Sequence, residues 1–375
     1  MKRLLLPAAV AVLFAAGVGA ATAVSTRTAA GGAGFVGAWT SSDRPEDVAA
    51  NTNGDIWVAY PNEDAGTPRI VRYDPNGKVL ANVALPLGHL PKGIAVDATG
   101  DAYVADSALN VITEYSPSGA TLSSFGSSAF GESAGIAFDP GTNDIFVIDG
   151  QNGRIVEFDK SGTMLRAFGQ STLSHPEDIT FLNGNVYVTD SGNDNVAEFS
   201  GTGSLVTTWG GSGEGDGQFD LPLGIATAGN DIVVSDDNNH RIQEFSSTGA
   251  FITKFGEGGA GDGEFTENYG VGADPIGNVY VADAGNTRVQ RFFQGLDPCV
   301  QLSGANLTSC GTARAACLAK ITNADEQSCL TALNTQEDAI RNAPTTTKKT
   351  STPPKKVVPT CKKGQKSTNK KPCHK

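Results

Sequence analysis

An all-β chain folded as a six-bladed propeller is expected here, on three grounds. One strand pattern recurs six times between Thr40 and Phe293: a Pro-x-Gly-Ile-Ala-like start, a glycine-bearing turn, an apolar-Tyr-Val-Ala-Asp strand, then an Asn-rich turn into a third strand. The valine of the second strand returns at Val58, Val104, Val147, Val188, Val234 and Val281, about 41–47 residues apart, the span of one propeller blade. Short strands set off by Asn/Gly turns complete the signature. A single unit of this kind leaves a sheet face bare, and repetition around an axis covers each face with the next blade.

Taken in order, residues 1–23 read as a signal peptide. Lys2-Arg3 precedes an apolar run from Leu4 to Val18, and Ala21-Thr22-Ala23 supplies small residues at a cut site. Pro7 within the run and Gly17 and Gly19 near its end disfavour a lasting membrane helix, so no transmembrane anchor is expected after cleavage. The protein is expected to be secreted, extracellular or associated with the cell envelope. Residues 24–33 are a short linker and 34–296 the propeller. In the fourth blade, 177–181 is the inner strand, Asn183-Gly184-Asn185 a hairpin turn and 186–190 the second strand. The third strand is 196–199, and Leu205 to Gly210 the outer strand.

Outer strands end in Ser124-Phe125-Gly126, Ala167-Phe168-Gly169, Thr208-Trp209-Gly210 and Lys254-Phe255-Gly256, but none follows Phe293. Phe35-Val36-Gly37-Ala38-Trp39 stands alone before the first blade. This strand is therefore expected to complete the last blade and close the ring, leaving no free junction.

The 375 residues are 39% apolar, with 46 glycines and 18 prolines, a balance that suits a turn-rich β protein with a real core. Charge divides sharply. Residues 1–296 hold 35 of the 40 acids and 15 of the 28 bases, about −20, whereas 297–375 come to about +8. So acidic a propeller repels phosphate backbones, and no nucleic-acid partner is expected.

The pattern Gly217-Gln218-Phe219-Asp220-Leu221-Pro222, followed by Asn239-His240-Arg241-Ile242, resembles the NHL repeat, with Gly285-Asn286-Thr287-Arg288-Val289 a weaker copy. The resemblance covers residues 34–294 and implies a six-bladed propeller. It does not select an activity, because a fold of this kind hosts many.

The residues opening the inner strands should line the mouth of the central channel: Glu46-Asp47, Lys92-Gly93, Ala134-Gly135, Glu177-Asp178, Leu223-Gly224 and Tyr269-Gly270. Aspartate replaces glycine at Asp47 and Asp178, on the first and fourth blades, which oppose one another in a six-fold ring. Glu46, Asp47, Glu177 and Asp178 are thus candidate metal ligands for Ca²⁺, against the plainer reading of solvated loop acids. Otherwise no cofactor is expected. Arg44 and Lys92 are the nearby bases, able to form a structural ion network with these acids instead. His89 and His175 should also lie near the mouth. Some NHL-like propellers are lyases whose zinc is held by channel histidines beside an arginine and a tyrosine. Arg44, His89, His175 and Tyr269 partly match that set, but a third histidine is missing, since His240 belongs to the repeat turn and His374 to the tail. The recurring Asp106, Asp149, Asp190, Asp236 and Asp283 each precede an Asn/Gly turn, where a carboxylate accepts backbone N–H groups, and are read as structural.

Residues 297–343 read as a helical segment, with Leu330, Leu333 and Ile340 on one face. All six cysteines fall beyond the propeller, and in an exported chain they are expected to pair as Cys299–Cys310, Cys317–Cys329 and Cys361–Cys373, one of 15 connectivities. Residues 344–375 form a Lys/Thr/Pro-rich tail too polar to bury a core, suited to an anionic cell-envelope polymer. The functional expectation is a non-enzymatic exported module binding a protein, peptide or glycan at the mouth, through Arg44, Glu46, Asp47, Lys92, His175, Glu177, Asp178 and Tyr269. The alternative is a metal-dependent lyase or lactone-type hydrolase in the channel. A RING-type ubiquitin-ligase relative is rejected for want of an upstream cysteine framework.

Overall fold

The computed structural model describes residues 34–293, except 52–53, 62–65, 127–128 and 276. The signal segment, the helical segment, the disulfide pairings and the basic tail lie outside the described residues. No described helix is long and apolar enough to cross a membrane.

Six four-stranded antiparallel sheets make up the ring. Blade one spans Asp47–Ala50 to Val79–Ala84, blade two Pro91–Val96 to Thr121–Gly126 and blade three Ser133–Phe138 to Met164–Phe168. Blade four spans Pro176–Leu182 to Leu205–Gly210 and blade five Pro222–Ala228 to Phe251–Phe255. Blade six takes Asn268–Ala273, Asn278–Asp283 and Arg288–Phe293 from the end of the fold and its outer strand, Gly34–Thr40, from the beginning. That strand runs antiparallel to Arg288–Phe293, with Trp39 opposite Val289 and Phe35 opposite Phe292. The expected closure is the observed one.

Second strands are buried throughout, as in Ile56–Tyr60, Ala102–Asp106 and Ile145–Asp149, because each is covered on both faces by neighbouring blades. The core is accordingly six clusters, one at each junction. Between blades one and six, for example, Val58, Val71 and Tyr73 pack on Tyr280, Ala282 and Val289, with Trp39 against them. Trp39 lies 5.7 Å from the ring of Tyr73 and 6.3 Å from that of Tyr280, centroid to centroid.

One glycine contact repeats around the ring. The turn before the outer strand in blades one to five carries a positive-φ glycine whose Cα faces the outer strand of the preceding blade: Gly77 on Trp39, Gly119 on Val83, Gly162 on Phe125, Gly203 on Phe168 and Gly249 on Trp209. A Cβ on Gly77 would lie 2.7 Å from Trp39 Cγ. The N-terminal strand therefore makes the same contact as the outer strands of blades one to four. Each outer strand also bulges by one residue, and that extra residue is aliphatic in all six: Val36, Leu80, Leu122, Leu165, Val206 and Ile252. Bulges increase local twist and turn a sheet edge away from edge-to-edge pairing.

Deleting residues 34–40 is expected to expose the third strand of blade six as a hydrogen-bonding edge, giving aggregation or a large fall in melting temperature. Trp39→Ala keeps the strand and removes part-buried packing, and should cost about 2–3 kcal/mol in denaturant unfolding. A truncated protein that melts like its parent would show that closure is dispensable.

Candidate functional site

The six inner strands open around a cavity of about 970 Å³ at one end of the ring. Its wall includes the residues predicted from the repeat: Glu46 and Asp47, Lys92, Ala134 and Gly135, Glu177 and Asp178, Leu223 and Gly224, Tyr269 and Gly270. Arg44 joins them. At the narrowest level the blades present Asp47, Gly93, Gly135, Asp178, Gly224 and Gly270 in turn. Glycine is needed there because the inner strands nearly touch. A Cβ on Gly224 would lie 2.6 Å from the Tyr269 carbonyl oxygen, and one on Gly93 would overlap that of Ala134.

The two aspartates bridge blades. Asp47 Oδ1 accepts its own strand's Val48 N–H at 2.8 Å, and Oδ2 accepts the Ile94 N–H of blade two at 2.8 Å. Its carboxylate occupies the space left by Gly270 of blade six, whose Cβ would overlap it. Asp178 repeats this on the other side. Oδ1 accepts Ile179 N–H at 2.8 Å, Oδ2 accepts the Ile225 N–H of blade five at 2.9 Å, and the carboxylate lies against Gly135 of blade three. One aspartate thus spans blades six, one and two, and the other spans three, four and five. Burial pushes the Asp47 carboxyl up to about 7, against the two N–H bonds that favour its charge. Burial, and after it the charge of Asp47, push Asp178 well above the usual carboxylate range.

Around the rim, Arg44 pairs with Glu267 and donates to the Tyr269 hydroxyl at 3.1 Å, its guanidinium 5.8 Å from the centre of that ring. Lys92 Nζ lies 3.1 Å from Glu46 Oε1. Of the ion network expected between these two bases and the four acids, the Lys92–Glu46 pair is present, whereas Arg44 pairs with Glu267 instead. Glu177 Oε1 accepts the Ser191 hydroxyl at 2.6 Å. Asp237 Oδ1 accepts the Asn268 N–H at 2.8 Å, and burial raises its carboxyl to about 6. Asp43, Asp237, Glu267 and Leu221 line the cavity without having been foreseen. They precede the inner strands or follow the second strands, in loops that vary from blade to blade. Leu221 holds a left-handed φ of 60°, fixed by its N–H on Asp194 and by Asp237 N–H on its carbonyl.

His175 is an exception among the predicted residues. It is exposed and absent from the cavity wall, because its backbone N–H is held on Asp190 Oδ1 at 2.8 Å, in the loop behind the strand. His89 Nδ1 lies 2.6 Å from Asp106 Oδ2. His240 sits at φ 51° in its turn, beside Gly258. The three imidazoles do not converge. Nor do the four candidate calcium carboxylates form a set: both oxygens of Asp47 and of Asp178 accept N–H groups, Glu46 lies on Lys92 and Glu177 on Ser191. Among the described residues no group of three or more His, Cys, Asp or Glu is placed to hold a metal ion.

The recurring aspartates are structural, as read. Asp236 accepts the Asp220 N–H, the Asn239 amide and the Gln243 amide, and pairs with Arg241 Nε at 2.6 Å. Arg241 then donates to the carbonyls of Glu214, Gly215 and Gln218, tying down the loop that leads to the mouth. Asp283, Asn286, Arg288 and Gln290 repeat the arrangement in blade six. Arg241→Met would remove the cation from a buried carboxylate and one donor from each of three loop carbonyls, and should cost about 3–5 kcal/mol in denaturant unfolding.

Residues 219–245 match the NHL repeat family, and residues 128–200 match the family described as SdiA-regulated. No curated protein matches the sequence. Solved structures of similar fold include a streptogramin B lyase, 14% identical over 68% of this chain and 96% of that one, with a TM-score of 0.51. A protein of unknown function from Bacteroides thetaiotaomicron VPI-5482 is 13% identical over 70% of this chain and 72% of its own, with a TM-score of 0.56. An auxiliary nutrient binding protein from Bacteroides ovatus ATCC 8483 is 14% identical over 66% and 69%, with a TM-score of 0.51. Likeness at this level concerns the fold alone.

Proposed function

We propose that this six-bladed propeller of NHL-type repeats is an exported, non-enzymatic binding module that takes a ligand at its mouth, and that the part of the ligand entering the mouth is cationic. The charge of the cavity carries this reading. Asp43, Glu46, Glu177, Asp237 and Glu267 line it, with the more readily protonated Asp47 and Asp178 at its floor, against two bases, Arg44 and Lys92, each already paired with a carboxylate. The low-dielectric walls of a cleft focus such a field and raise the local concentration of cations. A volume near 970 Å³ takes a few residues of a peptide or a short amine-bearing glycan. The basic tail would hold the exported chain to an anionic envelope polymer. The histidine-based lyase reading has no support at the cavity, since no described histidine lines it.

Calorimetric titration with a lysine-rich hexapeptide and with its glutamate-rich counterpart tests the proposal. The basic peptide should bind, more weakly as salt rises. Glu177→Gln with Asp237→Asn should weaken binding by about tenfold, near 1.4 kcal/mol. Equal binding of both peptides, or of neither, would sink the cationic reading. Stoichiometric metal in the purified protein, with stability lost in chelator, would favour the enzyme.

A further inference from the structure

We propose that Asp47 and Asp178 form a pH-sensitive clasp: two carboxyls on opposed blades that hold the mouth while at least one of them is protonated and loosen it when both ionise. The geometry comes first. Both side chains line the mouth cavity and also the smaller cavity of about 150 Å³ beneath it, so together they partition the channel. Each one ties its own inner strand to the next blade through an N–H bond and fills the space left by a glycine of the preceding blade. The two clasps include all six blades. Of the remaining inner-strand junctions, that between blades two and three closes by Gly93 on Ala134, and that between five and six by Gly224 on Tyr269 together with Asn268 of blade six bonded to Ser235 and Asp237 of blade five.

Among the described residues no ion pair involves Asp47 or Asp178. On the strand of Asp47 is Glu46, which holds Lys92 of blade two; blade six offers Tyr269, engaged with Arg44 and Glu267. On the strand of Asp178 is Glu177, and blade five adds Asp237 to the cavity wall; blade three adds Ala134 and Gly135. Single ionisation is supported by two N–H donors on each carboxyl, whereas double ionisation adds repulsion across the channel. A coupled pair of this kind loses its protons in two separated steps. Burial raises Asp47 to about 7, and burial with the charge of Asp47 raises Asp178 further. Folding therefore binds protons that the unfolded chain releases near pH 4. The stabilisation this lends is complete below that pH and is lost as pH climbs through about 7 and beyond.

Thermal melts of the purified protein, of Asp47→Asn and of Asp178→Asn, taken from about pH 5 to about pH 8.5, test the clasp. Glu244, raised to about 7, and Asp237 titrate in the same window, so the measured quantity is the gap between wild type and variant at each pH. Asparagine offers one acceptor where the carboxyl offers two, and each variant should melt below wild type at low pH. The gap should close by at least about 3 °C toward high pH, because the variant has lost one ionisable member of the pair. A gap constant across the range in both variants would overturn the proposal, since a merely structural side chain predicts that result. Infrared spectra of Glu244→Gln give a second reading that needs neither asparagine variant. A protonated-carboxyl band should persist at about pH 7.5, above the range in which Asp237 titrates. Its absence overturns the clasp whether or not the mouth binds a cationic ligand.

Discussion

A blade with one face uncovered is a sheet with half its apolar side chains in water, so every blade here depends on its neighbours for burial. Five junctions join blades adjacent in sequence. The sixth depends on Gly34–Thr40 travelling back to Arg288–Phe293, a contact between the two ends of the described fold. It is an ordinary junction in every other respect: Trp39 takes the place held elsewhere by Val83, Phe125, Phe168 and Trp209 against a turn glycine. Pairing the N-terminal segment into the last blade also means that loss of one strand exposes a hydrogen-bonding edge and two core clusters together. Phe35 belongs to the cluster between blades five and six, and Trp39 to that between six and one.

Once the ring is closed, the mouth is held by buried charge. Asp236 with Arg241 and Asp283 with Arg288 would be costly pairs in isolation, because desolvating two charges offsets much of their attraction. Their additional partners change that balance. Each arginine donates to three loop carbonyls, and each aspartate accepts from an asparagine, a glutamine and a backbone N–H. The Gly-rich loops at 211–221 and 256–266 are each pinned to the core by one buried side chain, Phe219 and Phe265. Their carbonyls are satisfied through these guanidinium groups, which lets polar, glycine-rich backbone sit beside a cavity without collapsing into it.

Much of this was legible from single residues at repeated positions. The second-strand valines located the blades, the residues opening each inner strand located the mouth, and the unpaired Phe35–Trp39 segment located the closure. The role of the recurring aspartates followed from the turn that comes after each one. What could not be read were bonds reaching into the next blade. Asp47 looks from its own strand like a substituted glycine and a spare carboxylate; that Oδ2 meets Ile94 N–H depends on how far adjacent inner strands are offset along the axis. His175 was placed at the mouth because Pro176 opens an inner strand there, but a backbone bond to Asp190 holds it outside the cavity. Glu267, in the same position relative to blade six, does line it, drawn in by Arg44. Loop conformation, not register, decides between them.

The inner strands also show how the fold separates stability from recognition, by comparing copies within one chain. At the position that packs into the ring, six blades allow only glycine or aspartate: Asp47, Gly93, Gly135, Asp178, Gly224 and Gly270. One residue earlier they carry Glu46, Lys92, Ala134, Glu177, Leu223 and Tyr269, with two acids, a base, an aromatic and two aliphatics among six. The first position is limited by strand backbones so close that an added Cβ overlaps a neighbour, and an aspartate enters only where it bonds both its own strand and the next. The second position faces the open cavity, where a side chain meets other side chains and solvent instead of backbone. Substitution there changes the charge and shape presented to a ligand while leaving the blade junctions intact. Such a scaffold can acquire a new binding preference without passing through an unstable ring, and the acid-rich mouth of this chain is one setting of that arrangement.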